Sequence, residues 1–337
     1  MTLSRDDLGW SPFFELQLAD DHARVCRVAE VHRDRIGVLG PDGPAMLELV
    51  PELSAGDIAV GDWVLSDASG RLTEVLKRQT LLSRRAAGTD ARVQLIAANV
   101  DTLYITTSCN ADFNPARLER YLALAYDSGC YPVLVLTKAD LGEDVDDFVR
   151  RAEALSPMLT VLAVDAHDPR DIARLMSWTG RGRTAALVGS SGVGKTTLLN
   201  GMTGLDEATA DIRDDDAKGR HTTTSRALRP MTNGGWLIDM PGIRALRLQD
   251  AREGIDALFD DIAELVASCH FADCSHDTEP GCAIQAAIAD DKLDPARLER
   301  WQKLRHSETI AEARKREKTF GKMIREVDRS MKGRKGR

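Results

Sequence analysis

Apolar residues between positions 25 and 75 come in short runs separated by turn-forming clusters. Residues 25–31, 35–39, 45–49, 63–66 and 72–75 each fit a strand, and Gly40-Pro41-Asp42-Gly43 and Ala68-Ser69-Gly70 supply reversals between them. Five short strands predict a small all-β barrel of the OB-fold type, a scaffold that often receives oligonucleotides but does not by itself choose its ligand. After Arg85 the pattern changes to apolar runs at 102–106, 132–136, 160–164, 184–188 and 236–238, alternating with helical stretches. That alternation predicts a parallel α/β sheet. Asn114-Pro115 and Asp294-Pro295 each set an N-cap residue before a proline at the first helical position. The similar segments 114–120 and 294–300 are therefore two helix starts and not a duplicated domain. From Pro295 to about Val327 the pattern is helical and charged, with Trp301, Leu304 and Ile310 as docking residues, and residues 332–337 are expected to be disordered.

A chain of 337 residues allows two or three domains. With 43% hydrophobic and 29% charged residues, disorder throughout is excluded. No apolar run approaches the ~18–20 residues that span a bilayer, and Asp6 and Asp7 stand where a signal peptide would be basic and then apolar. A cytoplasmic protein with no membrane partner is expected. The net charge of −8 hides an asymmetry, because residues 301–337 carry 13 basic and 5 acidic side chains, a surplus of +8 on a body of −16. A basic tail on an acidic body points to a polyanionic partner. Of the six cysteines, Cys26, Cys109 and Cys130 are isolated, whereas Cys269, Cys274 and Cys282 are clustered, which in a reducing compartment points to metal.

Gly189-Ser190-Ser191-Gly192-Val193-Gly194-Lys195-Thr196 follows the run 184–188 and precedes a helical stretch beginning at Thr197, the setting of a Walker A loop. Its glycines let backbone N–H groups face phosphate oxygens at a helix N-terminus. Lys195 adds charge at the β- and γ-phosphates, and the Thr196 hydroxyl can ligate magnesium. Asp239-Met240-Pro241-Gly242 ends the strand 236–238, so the Asp239 carboxylate emerges beside this loop, where it can hold a magnesium-bound water, and the Gly242 N–H can meet the γ-phosphate. Thr137-Lys138-Ala139-Asp140 closes the strand 132–136. Asp140 can accept from guanine N1–H and the exocyclic amine, an arrangement adenine lacks, so GTP is expected over ATP; the Lys138 stem covers the base plane.

The base-reading motif precedes the phosphate loop, the reverse of an ordinary GTPase. A circular permutation accounts for this order, since it moves the chain ends and keeps every site in the folded sheet. Arg220-His221-Thr222-Thr223-Thr224 lies between the phosphate loop and Asp239, where a first switch loop belongs. Thr223, with Thr222 as the alternative, is expected on the magnesium. Ile243 stands where many GTPases keep a water-orienting Gln, so another polar group must hold the attacking water, and His221 suits that role. Cys269, Cys274, His276 and Cys282 form a closed Cys3His set suited to tetrahedral zinc. His270, beside Cys269, is the rival ligand, although its side chain points differently from that of its neighbour.

The ordered set Thr137-Lys138-x-Asp140, Gly189 to Thr197, Gly219-Arg220-His221-Thr222-Thr223-Thr224, Asp239-Met240-Pro241-Gly242 and Cys269 to Cys282, with Glu279-Pro280-Gly281 inside the last, resembles the RsgA/YjeQ family of circularly permuted GTPases. These act in maturation of the small ribosomal subunit. Ala98-Asn99-Val100-Asp101 fits as well, and the likeness covers roughly residues 25 to 325. The resemblance implies a multidomain chain. An N-terminal all-β OB-fold barrel that binds RNA occupies 1–85, a central circularly permuted α/β P-loop GTPase 86–250, and a C-terminal zinc-binding helical domain with a basic tail 251–337. It implies ribosomal RNA of the small subunit as partner and a catalytic role for His221 beside Lys195. The expected activity is subunit-stimulated hydrolysis of GTP to GDP and phosphate by a monomer that uses magnesium and one structural zinc. Two positions depart from the family pattern: Thr137 replaces the commoner Asn, and Asp165-Ala166 stands where a Ser-Ala base-contacting loop is expected. The competing reading is an RNA-binding OB and zinc module whose nucleotide site is a slow or vestigial switch. An ATP-dependent kinase is disfavoured by Asp140.

Overall fold

The computed structural model describes residues 3–19, 24–85, 93–206, 226–240 and 252–306. Compact units cover Met1–Leu246 and Arg247–Arg337. In the first, a leading segment with one short helix, α1 (Pro12–Glu15), precedes five strands: β1 (Arg24–Val31), β2 (Arg35–Gly40), β3 (Gly43–Glu48), β4 (Trp63–Ser66) and β5 (Leu72–Val75). β1, β2 and β3 form an antiparallel meander, β4 pairs with β1 and β5 with β4. A parallel bridge between Glu48 and Arg71 joins the ends, which closes the five strands into the expected barrel. Val28, Ile36, Val38, Leu47, Ile58, Val64 and Leu72 fill it.

A hairpin of β6 (Leu81–Arg85) and β7 (Val93–Ala98) then leads into an alternating run. Its members are β8 (Thr102–Ser108), α2 (Pro115–Asp127), β9 (Tyr131–Thr137), α3 (Val145–Glu153), β10 (Thr160–Ala163), α4 (Pro169–Met176), β11 (Thr184–Gly189), α5 (Lys195–Thr203), β12 (Ala227–Pro230) and β13 (Trp236–Asp239). The sheet order is β10-β9-β8-β11-β13-β12-β1-β2-β3. From β10 to β13 every pairing is parallel, and β12 lies antiparallel on β13. These parallel strands are apolar because both faces are covered; Val133, Val135, Ala185, Leu187 and Leu237 pack under Ile172 and Leu175 of α4 and Leu198, Leu199 and Met202 of α5. The otherwise open edge at β12 receives β1 through the pair Glu30–Ala227. β1 pairs with β2, β4 and β12, and its register against β2 shifts between Val28 and Glu30, a bulge that bends the strand.

One buried cation ties the barrel to the α/β sheet. Arg27 of β1 is 1% exposed; its guanidinium donates to Thr184 Oγ1 at 2.6 Å, to Asn99 O at 3.4 Å and to Leu8 O. Burial lowers its pKa to about 10, so the group stays charged at neutral pH. Trp63 lies 5.6 Å from the guanidinium carbon and packs edge-on against Trp10. The leading segment is stitched down further by Trp236 Nε1 donating to Asp7 O at 2.6 Å and Arg181 Nε to Asp7 Oδ1 at 2.6 Å.

The second unit contains α6 (Arg252–Leu258), α7 (Asp260–Ala267), α8 (Ala283–Ala289) and a helical stretch at 295–306. Asp294 caps that stretch, its Oδ1 accepting from Ala296 N–H at 2.9 Å. Arg297 clamps it to α7 with two bonds of 2.9 Å to Asp261, and Trp301 and Leu304 are buried. Ile310 and residues 332–337 lie outside the described residues. Among the described residues no helix is long and apolar enough to cross a membrane.

Replacing Arg27 with Met keeps the stem and removes the guanidinium, leaving the carbonyls of Leu8 and Asn99 without this donor. Urea unfolding followed by tryptophan fluorescence is expected to show a loss of about 2–4 kcal/mol. A loss below ~0.5 kcal/mol would show that the guanidinium contributes nothing net.

Candidate nucleotide site and metal centre

The phosphate loop begins where β11 ends, and its backbone demands glycine. Gly189 has φ +147°, and a Cβ there would stand 2.2 Å from Thr106 O of the neighbouring strand β8. Gly194, at φ +89°, turns the chain into α5. Lys195 opens α5 and folds back over the loop, its Nζ donating to Gly189 O at 2.9 Å and to Ser190 O. Thr196 and Thr197 follow in the first turn, both partly exposed. Parallel pairing of Ala186 with Ile238 puts Asp239, the last residue of β13, at the same end of the sheet. A threonine hydroxyl and a carboxylate are hard oxygen donors, and this set fits magnesium.

The Thr137–Asp140 turn leaves the sheet at the same edge. Lys138 takes φ +56°, and Asp140 lies exposed on a single helical turn, Ala139–Leu141. The Thr137 hydroxyl, fully buried, donates to Val193 O inside the phosphate loop at 2.6 Å, with Thr107 O a second acceptor at 3.1 Å. Where an amide is commoner, this hydroxyl thus ties the end of β9 to the phosphate loop. Ala139 N–H reaches Val164 O at 3.3 Å, which holds the turn against the Asp165-Ala166 loop. The Asp165 carboxylate accepts from His167 N–H at 2.8 Å, and its own N–H donates to Asp171 Oδ2 at 2.7 Å. Asp165 therefore shapes its turn through these bonds, and Ala166 packs against the core.

In the second unit the ligand atoms of Cys269, Cys274, His276 and Cys282 all lie within 4.8 Å of one another. Tetrahedral bonds of ~2.3 Å to sulfur and ~2.0–2.1 Å to nitrogen separate two sulfurs by ~3.8 Å and sulfur from nitrogen by ~3.6 Å. Cys269 Sγ stands 4.0 Å from Cys282 Sγ and 3.6 Å from His276 Nδ1, and Cys282 Sγ stands 3.8 Å from the same nitrogen. The set fits zinc. Burial lowers the His276 pKa and favours the neutral ring a metal needs. Desolvation raises the Cys269 thiol, but N–H groups of Ala283 and Ile284 at the start of α8, together with the neighbouring thiols, outweigh it and bring it below its ordinary value. His270 is not in this cluster; its ring meets Phe271 edge-on at 4.7 Å.

The RsgA GTPase family model matches residues 75–249. The small ribosomal subunit biogenesis GTPase RsgA of Mesorhizobium japonicum is 50% identical over 305 residues, 88% of each chain. The chain belongs to the RsgA GTPase family. RsgA 2 of Vibrio parahaemolyticus is 43% identical over 327 residues, covering 95% of this chain and 91% of its own. Among solved structures, YjeQ from Thermotoga maritima superposes with a TM-score of 0.63 at 25% identity, covering 84% of this chain and 97% of that one. YloQ, a circularly permuted GTPase, gives 0.60 at 23% identity, covering 88% and 97%. As an RsgA-family enzyme the protein hydrolyses GTP and uses magnesium with it.

The RsgA-type permutation is visible in the sheet, where β8, β9 and β10 precede the phosphate-loop strand in the chain yet stand on one side of it, with β13 on the other. His221, Thr222, Thr223, Gly242 and Ile243 lie outside the described residues. The sequence reading missed Arg117, whose Nη1 donates to Ser190 Oγ in the phosphate loop. Nothing in the local pattern marks it, because an arginine in the first turn of a helix is ordinary until β8 carries that helix to the loop.

Thr137→Val removes the bond to Val193 O and keeps the volume. Titration with fluorescent GTP is expected to show affinity reduced about five- to tenfold, ~1 kcal/mol, while Thr137→Asn stays within about threefold of the parent. Equal affinity for the valine variant would show that the tether has no bearing on nucleotide binding.

Proposed function

We propose that this RsgA-family GTPase binds the small ribosomal subunit and its rRNA in the cytoplasm, acting as a monomer, and that subunit-stimulated GTP hydrolysis assists late maturation. The observation that carries this reading is the convergence of the phosphate loop, Asp239 and the Thr137–Asp140 turn at one sheet edge, in a chain 50% identical to a named small ribosomal subunit biogenesis GTPase. In this reading residues 1–85 and the basic tail of 251–337 contact RNA, and 86–250 carries the nucleotide chemistry. The +8 surplus at 301–337 supports a phosphate-rich partner.

Residues Gly189 to Thr197 cradle the phosphates with backbone N–H groups, and Lys195 neutralises the β- and γ-phosphates. Asp140 selects guanine, and Lys138 covers the base. Thr196, Thr223 and Asp239 hold magnesium, which when bound draws charge from the phosphate oxygens. Gly242 donates to the γ-phosphate, and His221 holds the attacking water in line. In-line transfer through a loose transition state asks for positioning and charge more than for a strong base, so a neutral histidine suffices. One zinc held by Cys269, Cys274, His276 and Cys282 organises the second unit and takes no part in the chemistry, since four protein donors leave no open position.

GTP turnover with and without purified small subunits tests the proposal. Strong stimulation is expected, and His221→Ala is expected to keep GTP and subunit binding while losing about 10²-fold of the stimulated rate. Binding without stimulation would favour an RNA-binding module with a vestigial switch. For the metal, about one zinc per chain is expected, and Cys282→Ser should release it and unfold the second unit while GTP affinity changes less than about twofold. Protein purified without chelator that contains no zinc would overturn the assignment.

A further inference from the structure

The geometry points to Arg117 as a further catalytic residue, a cation supplied from within the chain to the transferring phosphoryl group. Its placement is determined by the fold. β8 lies beside β11 with Thr106 paired to Gly189, so the segment after β8 must pass the phosphate loop. Asn114 then caps α2, its side chain accepting from Arg117 N–H at 3.0 Å, and this fixes Arg117 in the first turn. From there the side chain reaches the loop and donates through Nη1 to Ser190 Oγ.

The electrostatic setting of this arginine is unusual for a structural one. Arg117 is partly buried, and among the described residues no carboxylate lies within ion-pair distance of it. Its bonded partner is a neutral hydroxyl. Lys195 Nζ reaches the main-chain oxygen of the same Ser190. Two cationic groups therefore meet at one residue of a loop whose N–H groups serve a polyanion. A guanidinium held by a single hydroxyl keeps donors free, and its planar fork suits two phosphoryl oxygens better than an ammonium does. Charge spreads over the equatorial oxygens as the γ-phosphoryl group passes to water, and a guanidinium there stabilises the transition state more than bound GTP. The bond between the γ-phosphorus and the β–γ bridging oxygen breaks, water supplies the new oxygen, and Arg117 exchanges no proton.

The test compares the full-length protein with Arg117→Ala and Arg117→Lys. Single-turnover GTP hydrolysis is measured with and without small subunits, and binding of a fluorescent GDP with and without aluminium fluoride, which mimics the transferring group. Arg117→Ala is expected to lose about 10²-fold in rate and to fail to capture aluminium fluoride, while its GDP affinity stays within about threefold. Arg117→Lys should recover part of both losses, which also guards against misfolding of the alanine variant. Wild-type rate and fluoride capture by Arg117→Ala would overturn the proposal. So would a GDP affinity that falls in step with the rate, because that result makes Arg117 a tether for the Ser190 turn.

Discussion

The site rests on the parallel pairing of β8 with β9 on one side and β11 on the other. That ladder sets Ser108 opposite Thr137 and Thr106 opposite Gly189. Parallel strands in register end at the same edge, so the Thr137–Asp140 turn and the phosphate loop leave the sheet with one strand between them. The close approach of Gly189 to Thr106 O and the Thr137 bond to Val193 O then lock the two ends of the site together. Chain order does not enter into this. A ladder of backbone bonds is indifferent to which connecting loop was opened to make the termini, and for that reason a permuted GTPase keeps its chemistry.

Permutation does decide what the freed ends are joined to. The barrel enters through the β6–β7 hairpin and its β1 extends the α/β sheet at β12, so the barrel shares backbone bonds with the nucleotide-binding sheet. Arg27 deepens that union by reaching Thr184, the first residue of the strand that ends in the phosphate loop. Barrel and nucleotide loop are thus connected through one rigid strand, β11, whose residues are buried from Thr184 to Gly189.

Much of this was legible in the residues. The five barrel strands and the five α/β strands stand within two residues of their apolar runs, because buried strands must be apolar and Gly, Pro and Asn must supply the turns. The phosphate loop and the Cys3His set were readable because their spacing is chemistry. Three features were not. The β6 strand carries Ser83, Arg84 and Arg85 after only two leucines, and in β7 the apolar run is confined to residues 95–98 and flows into Asn99 without a turn-forming cluster that sets it apart as a strand. β12, of four residues with Arg229 and Pro230, is defined by its partners more than by its composition. Arg27 and Arg117 look like ordinary polar positions in their own strand and helix, and their partners lie 157 and 73 residues away.

Those separations also bear on how the protein is made. Arg27 meets Thr184 across 157 residues, and Asp7 meets Trp236 across 229. At a synthesis rate of roughly 5–20 residues per second, Arg27 leaves the polypeptide exit tunnel on the order of ten seconds or more before its hydroxyl partner does. Through that interval the guanidinium lacks its Thr184 acceptor, although Asn99, 72 residues on, emerges earlier. Arg27 therefore completes its bonds only when β11 arrives, and Asp7 only when β13 does.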